Sequence, residues 1–478
     1  MPGSVSASRL AGLVEGFGRS PAYAGLAEAL TLPIGDGRIP LDTRLPSERE
    51  LSQALSVSRT TVTRAYAALV ESGYARAKQG AGTFTRVPGG LTRAHDKTLT
   101  PGVSGVDAID LNCAAGTAPP GVAAAYTAAL EELPAHLGGH GYFPAGVPEL
   151  QEAIAATYTA RGLSTRPDQV MVTTGSLSGA AIVAQALSGP GDRVLVESPV
   201  YPNAVDAIRH SGARLVPAVV DADALDLPAV EDTIRHSAPK LAYLIPDFQN
   251  PTGHLMSDPQ REHLAGVLRE TDTIPVIDEA HQALLLDGGE MPAPFASYSP
   301  DAITLGSASK SFWGGLRLGW IRMPEAMRDP LERARLRLDL GAPVFEQLAL
   351  RHLLADSESV LTAQRARLRA QREALVQAVR TQLPDWTFRV PSGGLALWCR
   401  LPYGSATRLV EEGERRGVVV APGPVFAAEG GLDRFVRVPW TRPAEELRAA
   451  VTLLAEAWEL VRSAPPPSRR SRTRVMVA

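Results

Sequence analysis

From Gln169 to Lys310, short apolar runs that read as strands alternate with stretches of helical period, and polar residues gather where the strands stop. The segments are QVMVTTGSLSGAAIVAQAL, DRVLVESPVYPNAVDAIRHSGARLVPAVV, LAYLIPDFQNPTG, TIPVIDEAH and DAITLGSASK. Alternation of this kind implies a mostly parallel sheet covered by helices on both faces. Ligands collect at the carboxyl ends of the strands in such a sheet. The strand-end residues are therefore the first candidates for chemistry.

The last segment runs on as GSASKSFWGGLRLGW, Gly306 to Trp320. It offers an amine (Lys310), two hydroxyls (Ser307, Ser309) and a guanidinium (Arg317). Pyridoxal phosphate needs this set: an amine to form an imine with its aldehyde, and hydroxyls and a cation for its phosphate. Its pyridine nitrogen needs a carboxylate, which Asp278 can supply. Its phenolic oxygen needs a donor, which Asn250 can supply, and its ring an aromatic cover, which Tyr201 can supply. The backbone N–H groups of Ser176 and Leu177 open a helix, a natural phosphate cradle, with Ser176, Ser307 and Arg317 as phosphate ligands. Lys310 must be neutral to react. A free lysine titrates near ~10.4, so a cationic or desolvated setting is expected. Arg437, in FVRVPW, suits a substrate carboxylate held bidentately.

Each residue also has a bland reading. The lysine loop is then an ordinary Ser/Gly loop, and Ser176 stands at an ordinary strand-to-helix turn. Asn250-Pro251 is a turn, Asp278 a helix cap, Tyr201 core, and Arg437 a surface ion pair. The complete set in order favours the cofactor.

The chain has 478 residues, enough for roughly two to four domains. Its 45% hydrophobic and 21% charged content suits a soluble globular protein. The net charge of -3 gives no hint of nucleic acid, so charge must be read by segment. Cys113 and Cys399 are the only cysteines. They cannot make a disulfide framework or a zinc site of their own, no metal is expected, and a reducing cytoplasm fits. There is no run of about 18 apolar residues and no leader pattern, so no membrane partner is expected.

Ahead of the sheet, LPSERELSQALSVSRTTVTRAYAALVESGY spells two short helices. Ser47 and Glu50 form a capping box. Ser56 and Val57 make a turn, and Ser58 caps a second helix with Val62, Ala65, Tyr66, Leu69 and Val70 on one face. Helix, tight turn, helix is the plan whose second helix enters a DNA major groove. YARAKQGAGTFTRV then reads as a hairpin, a wing. Residues 21–90 hold eight Lys/Arg and six Asp/Glu. Arg49, Arg59, Arg64, Arg76 and Lys78 fall on the elements expected to meet phosphates. Singly, each reads as an ordinary solvated cation.

Residues 1–20 form a lead-in and 21–87 the winged helix. Residues 88–107, rich in Gly and Pro, form a linker. Residues 325–385 read as long helices, and FRVPSGGLALWCRL and DRFVRVPW as strands of a smaller α+β unit. The Pro- and Arg-rich tail, 463–478, reads as disordered.

LPSERELSQALSVSRTTVTRAY resembles the winged-helix DNA-binding domain of the GntR superfamily. The resemblance implies contacts to double-stranded DNA from Arg49, from Ser58, Arg59, Thr60, Thr61 and Arg64, and from the wing around Gly80. The ordered set around Lys310 is similar to the fold-type I aminotransferases, over residues 108–462, with a large domain to about 325 and a small one from about 326. Joined, the two resemble the MocR family of transcription regulators. This implies a winged helix-turn-helix followed by an α/β pyridoxal-phosphate-dependent transferase fold, and a head-to-tail homodimer. It further implies pyridoxal phosphate as an imine on Lys310, and a response to an amine, an amino acid or the cofactor itself. Tyr142, in HGYFPAG, matches a position that reaches the cofactor phosphate from the partner subunit. Two departures stand out. His281 occupies a position that is often tyrosine, which hydrogen-bonds the phenolic oxygen, and Gly314 one that is often proline. Two other functions stay open: a working aminotransferase with a DNA-binding head, and a repressor whose large domain is an inert scaffold.

Overall fold

The computed structural model describes residues 4–14, 16–35, 38–39, 43–78, 81–86, 99, 108–220 and 225–463. Most of the expected linker, the tip of the expected wing with Gly80, and the tail beyond 463 lie outside the described residues.

The N-terminal unit contains α1 (Ala7–Leu13), α2 (Ala22–Gly35), α3 (Glu48–Leu55), α4 (Arg59–Glu71) and an antiparallel pair, β1 (Ala75–Lys78) and β2 (Gly82–Thr85). The capping box is formed. Ser47 Oγ accepts from the Glu50 amide at 3.3 Å, and Glu50 Oε2 accepts from the Ser47 amide at 2.9 Å. Ser56 takes the left-handed conformation (φ 52°) that turns the chain between α3 and α4. Ser58 Oγ accepts from the Thr61 amide at 3.0 Å and starts α4. Leu10, Leu26, Leu30, Leu51, Val62, Tyr66 and Leu69 share one core. The buried Tyr66 hydroxyl donates to the Pro46 carbonyl at 2.9 Å, so the apolar face of α4 also holds the start of α3.

The second unit is built on seven strands: β3 (Val170–Thr173), β4 (Arg193–Ser198), β5 (Arg214–Val219), β6 (Leu241–Leu244), β7 (Ile274–Asp278), β8 (Ile303–Ser307) and β9 (Gly319–Arg322). Their order across the sheet is β3-β9-β8-β7-β6-β4-β5. All pairings are parallel except those of β9, which runs antiparallel between β3 and β8. One apolar core joins the helix Ser176–Leu187 to the sheet through Ile182, Val183, Val194, Leu305 and Ile321. Another lies on Val230, Ile234, Leu264 and Leu268, beneath Leu195, Leu244 and Ile277. Both faces of the sheet are thus covered, as its near-continuous apolar strands require.

A smaller antiparallel sheet follows, in the order β10 (Ala396–Arg400), β12 (Phe435–Pro439), β11 (Ala421–Pro422). The helices Ser357–Gln382, Ala406–Arg415 and Ala444–Ser463 pack on it around Trp440, Trp458, Leu397 and Val438. Ile109–Asp110 pairs in parallel with Val418–Val419. The chain therefore enters the second unit beside this smaller sheet, and residues 112–115 then run toward the large one.

Candidate functional site

Polar side chains converge where the strands end. β8 stops at Ser307, whose Oγ accepts from the Ser309 amide at 3.2 Å and starts the short helix that carries Lys310. β7 stops at Asp278, the loop after β6 brings Asn250, the turn after β4 brings Tyr201, and β3 leads to Ser176. β9 runs the other way, so Arg317, just before it, arrives at the same end. Arg437 comes from the middle of the small sheet, opposite Trp398 and Ala421. Together these surround a cavity of about 520 Å³. Ser176, Leu177, Tyr201, Asn250, Asp278, His281, Ser307, Ser309, Lys310, Arg317 and Arg437 all line it.

Close backbone approach shapes the phosphate end. Gly175 (φ +111°) precedes the helix Ser176–Leu187 and gives it no side-chain cap, leaving its first amides for a ligand. A Cβ on Gly319 would lie 2.6 Å from the Gly175 carbonyl carbon and from the Ser176 nitrogen. Only glycine lets β9 pass this turn. Arg317 is exposed and donates to the Thr174 carbonyl at 3.3 Å.

The Lys310 amine donates to the Ala114 carbonyl at 3.0 Å. Burial pulls its pKa below the ordinary lysine range, Arg437 and Arg317 add to the fall, and Cys113 and Asp278 oppose it. Asp278 accepts from the Tyr243 hydroxyl at 2.6 Å and from the Ala280 amide at 2.9 Å. Burial raises its pKa, and the Tyr243 hydrogen bond works against the rise. Burial also pushes the Tyr201 phenol up to about 12. Arg437 is almost wholly buried, and burial pulls its guanidinium down to about 10. It lies over the Phe426 ring at 4.8 Å, donates to Asn250 Oδ1 at 3.3 Å, and donates to the Asn112 carbonyl. Asn250 Oδ1 is thus engaged, and its amide hydrogens remain for a ligand's acceptor oxygen.

Tyr142 does not line this cavity. It is 58% exposed and stacks on His140 with ring centroids 5.7 Å apart. Four contributors went unread in the sequence. Asn112 to Ala115 form a wall, but IDLNCAAG carries no periodicity that marks it. Tyr243 supports Asp278 from inside an apolar strand, where it reads as core. Asn203 and Leu99 stand at the rim.

In the N-terminal unit, Arg49, Ser58, Arg59, Thr60 and Arg64 are exposed and Thr61 partly so. All but Arg49 lie on the first two turns of α4 or cap it. The Arg64 guanidinium lies over the Tyr23 ring at 3.9 Å, in a residue that is still exposed.

A two-domain fold with a partly buried lysine and a buried aspartate at the strand ends of its large sheet, and a buried arginine facing them from the small sheet, is the scaffold of an aminotransferase. Residues 112–454 match the family described as aminotransferase class I and II, and the chain belongs to that family. Residues 22–85 match the gntR family of bacterial regulatory proteins. The chain is 32% identical over 310 residues to a 2-aminoadipate transaminase of Thermus thermophilus, covering 63% of this chain and 78% of that one. It is 29% identical over 420 residues to the probable rhizopine catabolism regulatory protein MocR of Rhizobium meliloti, covering 82% and 83%. The uncharacterized HTH-type transcriptional regulator YdfD of Bacillus subtilis matches at 25% over 450 residues, covering 88% and 92%. A winged helix ahead of an aminotransferase domain is thus the MocR-type architecture, as the sequence implied. Among solved structures, LysN of Thermus thermophilus, an alpha-aminoadipate aminotransferase complexed with N-(5'-phosphopyridoxyl)-L-leucine, superposes with a TM-score of 0.69 at 28% identity. That match covers 74% of this chain and 93% of LysN. The aminotransferase class I and II fold implies dependence on pyridoxal phosphate.

Proposed function

We propose that this chain is a cytoplasmic, DNA-binding transcription regulator that carries pyridoxal phosphate on Lys310 and responds to an amino compound or to the cofactor itself. The observation that carries the reading is the convergence of Lys310, Asp278, Asn250, Tyr201 and Arg437 on one cavity behind a winged helix. The residues fit the cofactor. The uncapped helix start beyond Gly175 suits a phosphate, and the cavity is large enough for a substituted pyridine. When bound, pyridoxal phosphate supplies an aldehyde that condenses with amines and a ring that accepts electrons.

The chain's own residues prepare for that chemistry. Burial and two neighbouring guanidinium groups favour the neutral Lys310 amine, the nucleophilic form. Asp278 faces the cavity with Tyr243 behind it. A cationic ring nitrogen beside it would draw it back to the ionised form. Arg437 stands on the small sheet, so a ligand carboxylate bound there ties the small sheet to the large one. Arg49 and the exposed start of α4 are the DNA-contacting candidates.

Partner copies complete the picture. Leu336, Leu338, Leu340 and Tyr142 are exposed, between 46% and 58%. The chain at Gly341 approaches the Phe143 backbone, so they share one neighbourhood. An exposed apolar surface of this kind favours self-association, and a homodimer brings two DNA-binding units to repeated half-sites. The intact site also supports a working transaminase, which turnover with an amino acid and a keto acid would detect.

The test is the absorbance of purified protein after addition of pyridoxal phosphate. A long-wavelength band in the wild type and its absence in Lys310→Ala are expected. No band in either protein would remove the cofactor from the account.

A further inference from the structure

Asn203 lies two residues beyond Tyr201, near the start of the helix Pro202–His210, and holds a residue 104 positions earlier in the chain. The Leu99 amide donates to Asn203 Oδ1 at 2.7 Å, and Asn203 Nδ2 donates to the Leu99 carbonyl at 3.1 Å. A side-chain amide carries a donor nitrogen and an acceptor oxygen in one plane, so it can pair both backbone groups of one residue, as a neighbouring strand would. Aspartate lacks the donor and serine lacks the span.

The Leu99 side chain is held separately. It packs against Trp398, Ala421 and Phe426. The Phe426 ring lies under the Arg437 guanidinium, and the Phe426 carbonyl accepts from the Val200 amide at 3.0 Å. Leu99 thus touches the element that supports Arg437, and its backbone is gripped by the helix that follows Tyr201. Leu99 and Asn203 line the same cavity as Lys310.

This position matters for the DNA-binding unit. Leu99 stands thirteen residues beyond Arg86, the end of the described N-terminal unit, and ten before Ile109. An extended chain spans at most about 3.3–3.6 Å per residue. Release at Leu99 would lengthen the tether from about 45 Å to about 80 Å of maximal span.

We propose that the rim of the Lys310 cavity is a docking site for the segment joining the two units. Asn203 and the Trp398–Phe426 cluster receive Leu99, and pyridoxal phosphate in the cavity strengthens the docking. The docking half stands on the contacts alone, while the coupling half rests on the reading of the cavity as a pyridoxal-phosphate site. Leu99 is part of the wall, so a ligand that packs beneath it gains that contact only in the docked state. By linkage, docking then raises ligand affinity by the same factor.

Hydrogen exchange on the full-length protein tests both halves. The peptide containing Leu99 is followed in wild type, Asn203→Ala, Asn203→Asp and Lys310→Ala, each with and without pyridoxal phosphate. Without ligand, the Leu99 amide should exchange roughly tenfold faster in Asn203→Ala, about what one net hydrogen bond supplies. Asn203→Asp, which keeps the acceptor, should fall between. Equal exchange in wild type and both variants overturns the docking, whatever the cofactor does. Pyridoxal phosphate should slow exchange further in wild type and not in Lys310→Ala. If its absorbance shows it bound and exchange does not change, the coupling is overturned. If it does not bind, the coupling falls with the proposed function, and the Asn203 comparison still decides the docking.

Discussion

His281 Nδ1 lies 3.1 Å from the Phe248 carbonyl oxygen. A carbonyl only accepts, so Nδ1 carries the proton. Burial first, and then Lys310, pushes the ring's pKa down to about 4. The imidazole is therefore neutral, with its lone pair on Nε2, and offers an acceptor where a tyrosine would offer a hydrogen. The shift has a stability consequence. Between pH 6.5 and about 4 the unfolded chain binds a proton at this position that the folded chain refuses, so stability falls as pH falls through that window. The contribution is at most about 3 kcal/mol. Buried carboxyls such as Asp278 act in the opposite sense, so the comparison must be with a variant. The drop in melting temperature from pH 7 to pH 5 should be smaller in His281→Asn than in wild type, and an equal drop would count against the shift. On the N-terminal unit, Arg59 is exposed at the first position of α4. Arg59→Ala should weaken DNA binding and lower the slope of log affinity against log salt by about one.

At the scale of elements, the start of β9 is a tight backbone-to-backbone approach at the site. Gly319→Ala would place a Cβ 2.6 Å from backbone on the turn that opens the helix Ser176–Leu187. Backbone cannot yield as a side chain does, so the variant should lose pyridoxal-phosphate affinity and melt lower, by scanning calorimetry. Ser58→Ala removes the cap of α4 and should cost about 1 kcal/mol, read as a lower melting temperature of the N-terminal transition. Elements such as these were legible because polar residues interrupt apolar strands at Ser176, Asn250, Asp278 and Ser307, and because Ser47, Glu50 and Ser58 are chemical start signals. The strand order was not legible. Nothing local in GWIR tells β9 to insert antiparallel between β3 and β8. Nor was the wall at Asn112 to Ala115, which is assembled by Arg437 and Lys310 reaching its carbonyls across long sequence separations.

At the scale of the molecule, the proposed coupling of the cavity to DNA rests on two features: the segment held at Leu99 and the exposed apolar residues Tyr142, Leu336, Leu338 and Leu340. The second predicts a dimer. Leu338→Asp with Leu340→Asp should shift the sedimentation mass from two copies toward one, and an unchanged dimer would move the interface elsewhere. A regulator also requires that its ligand bind two states of the molecule with different affinity, since equal affinity shifts nothing. The most direct measurement is a DNA-binding titration at constant salt, with and without pyridoxal phosphate, on wild type and Lys310→Ala. Affinity should change with pyridoxal phosphate in the wild type and stay the same in Lys310→Ala. Affinity unmoved in both proteins would contradict this and leave the aminotransferase domain as a scaffold for the winged helix.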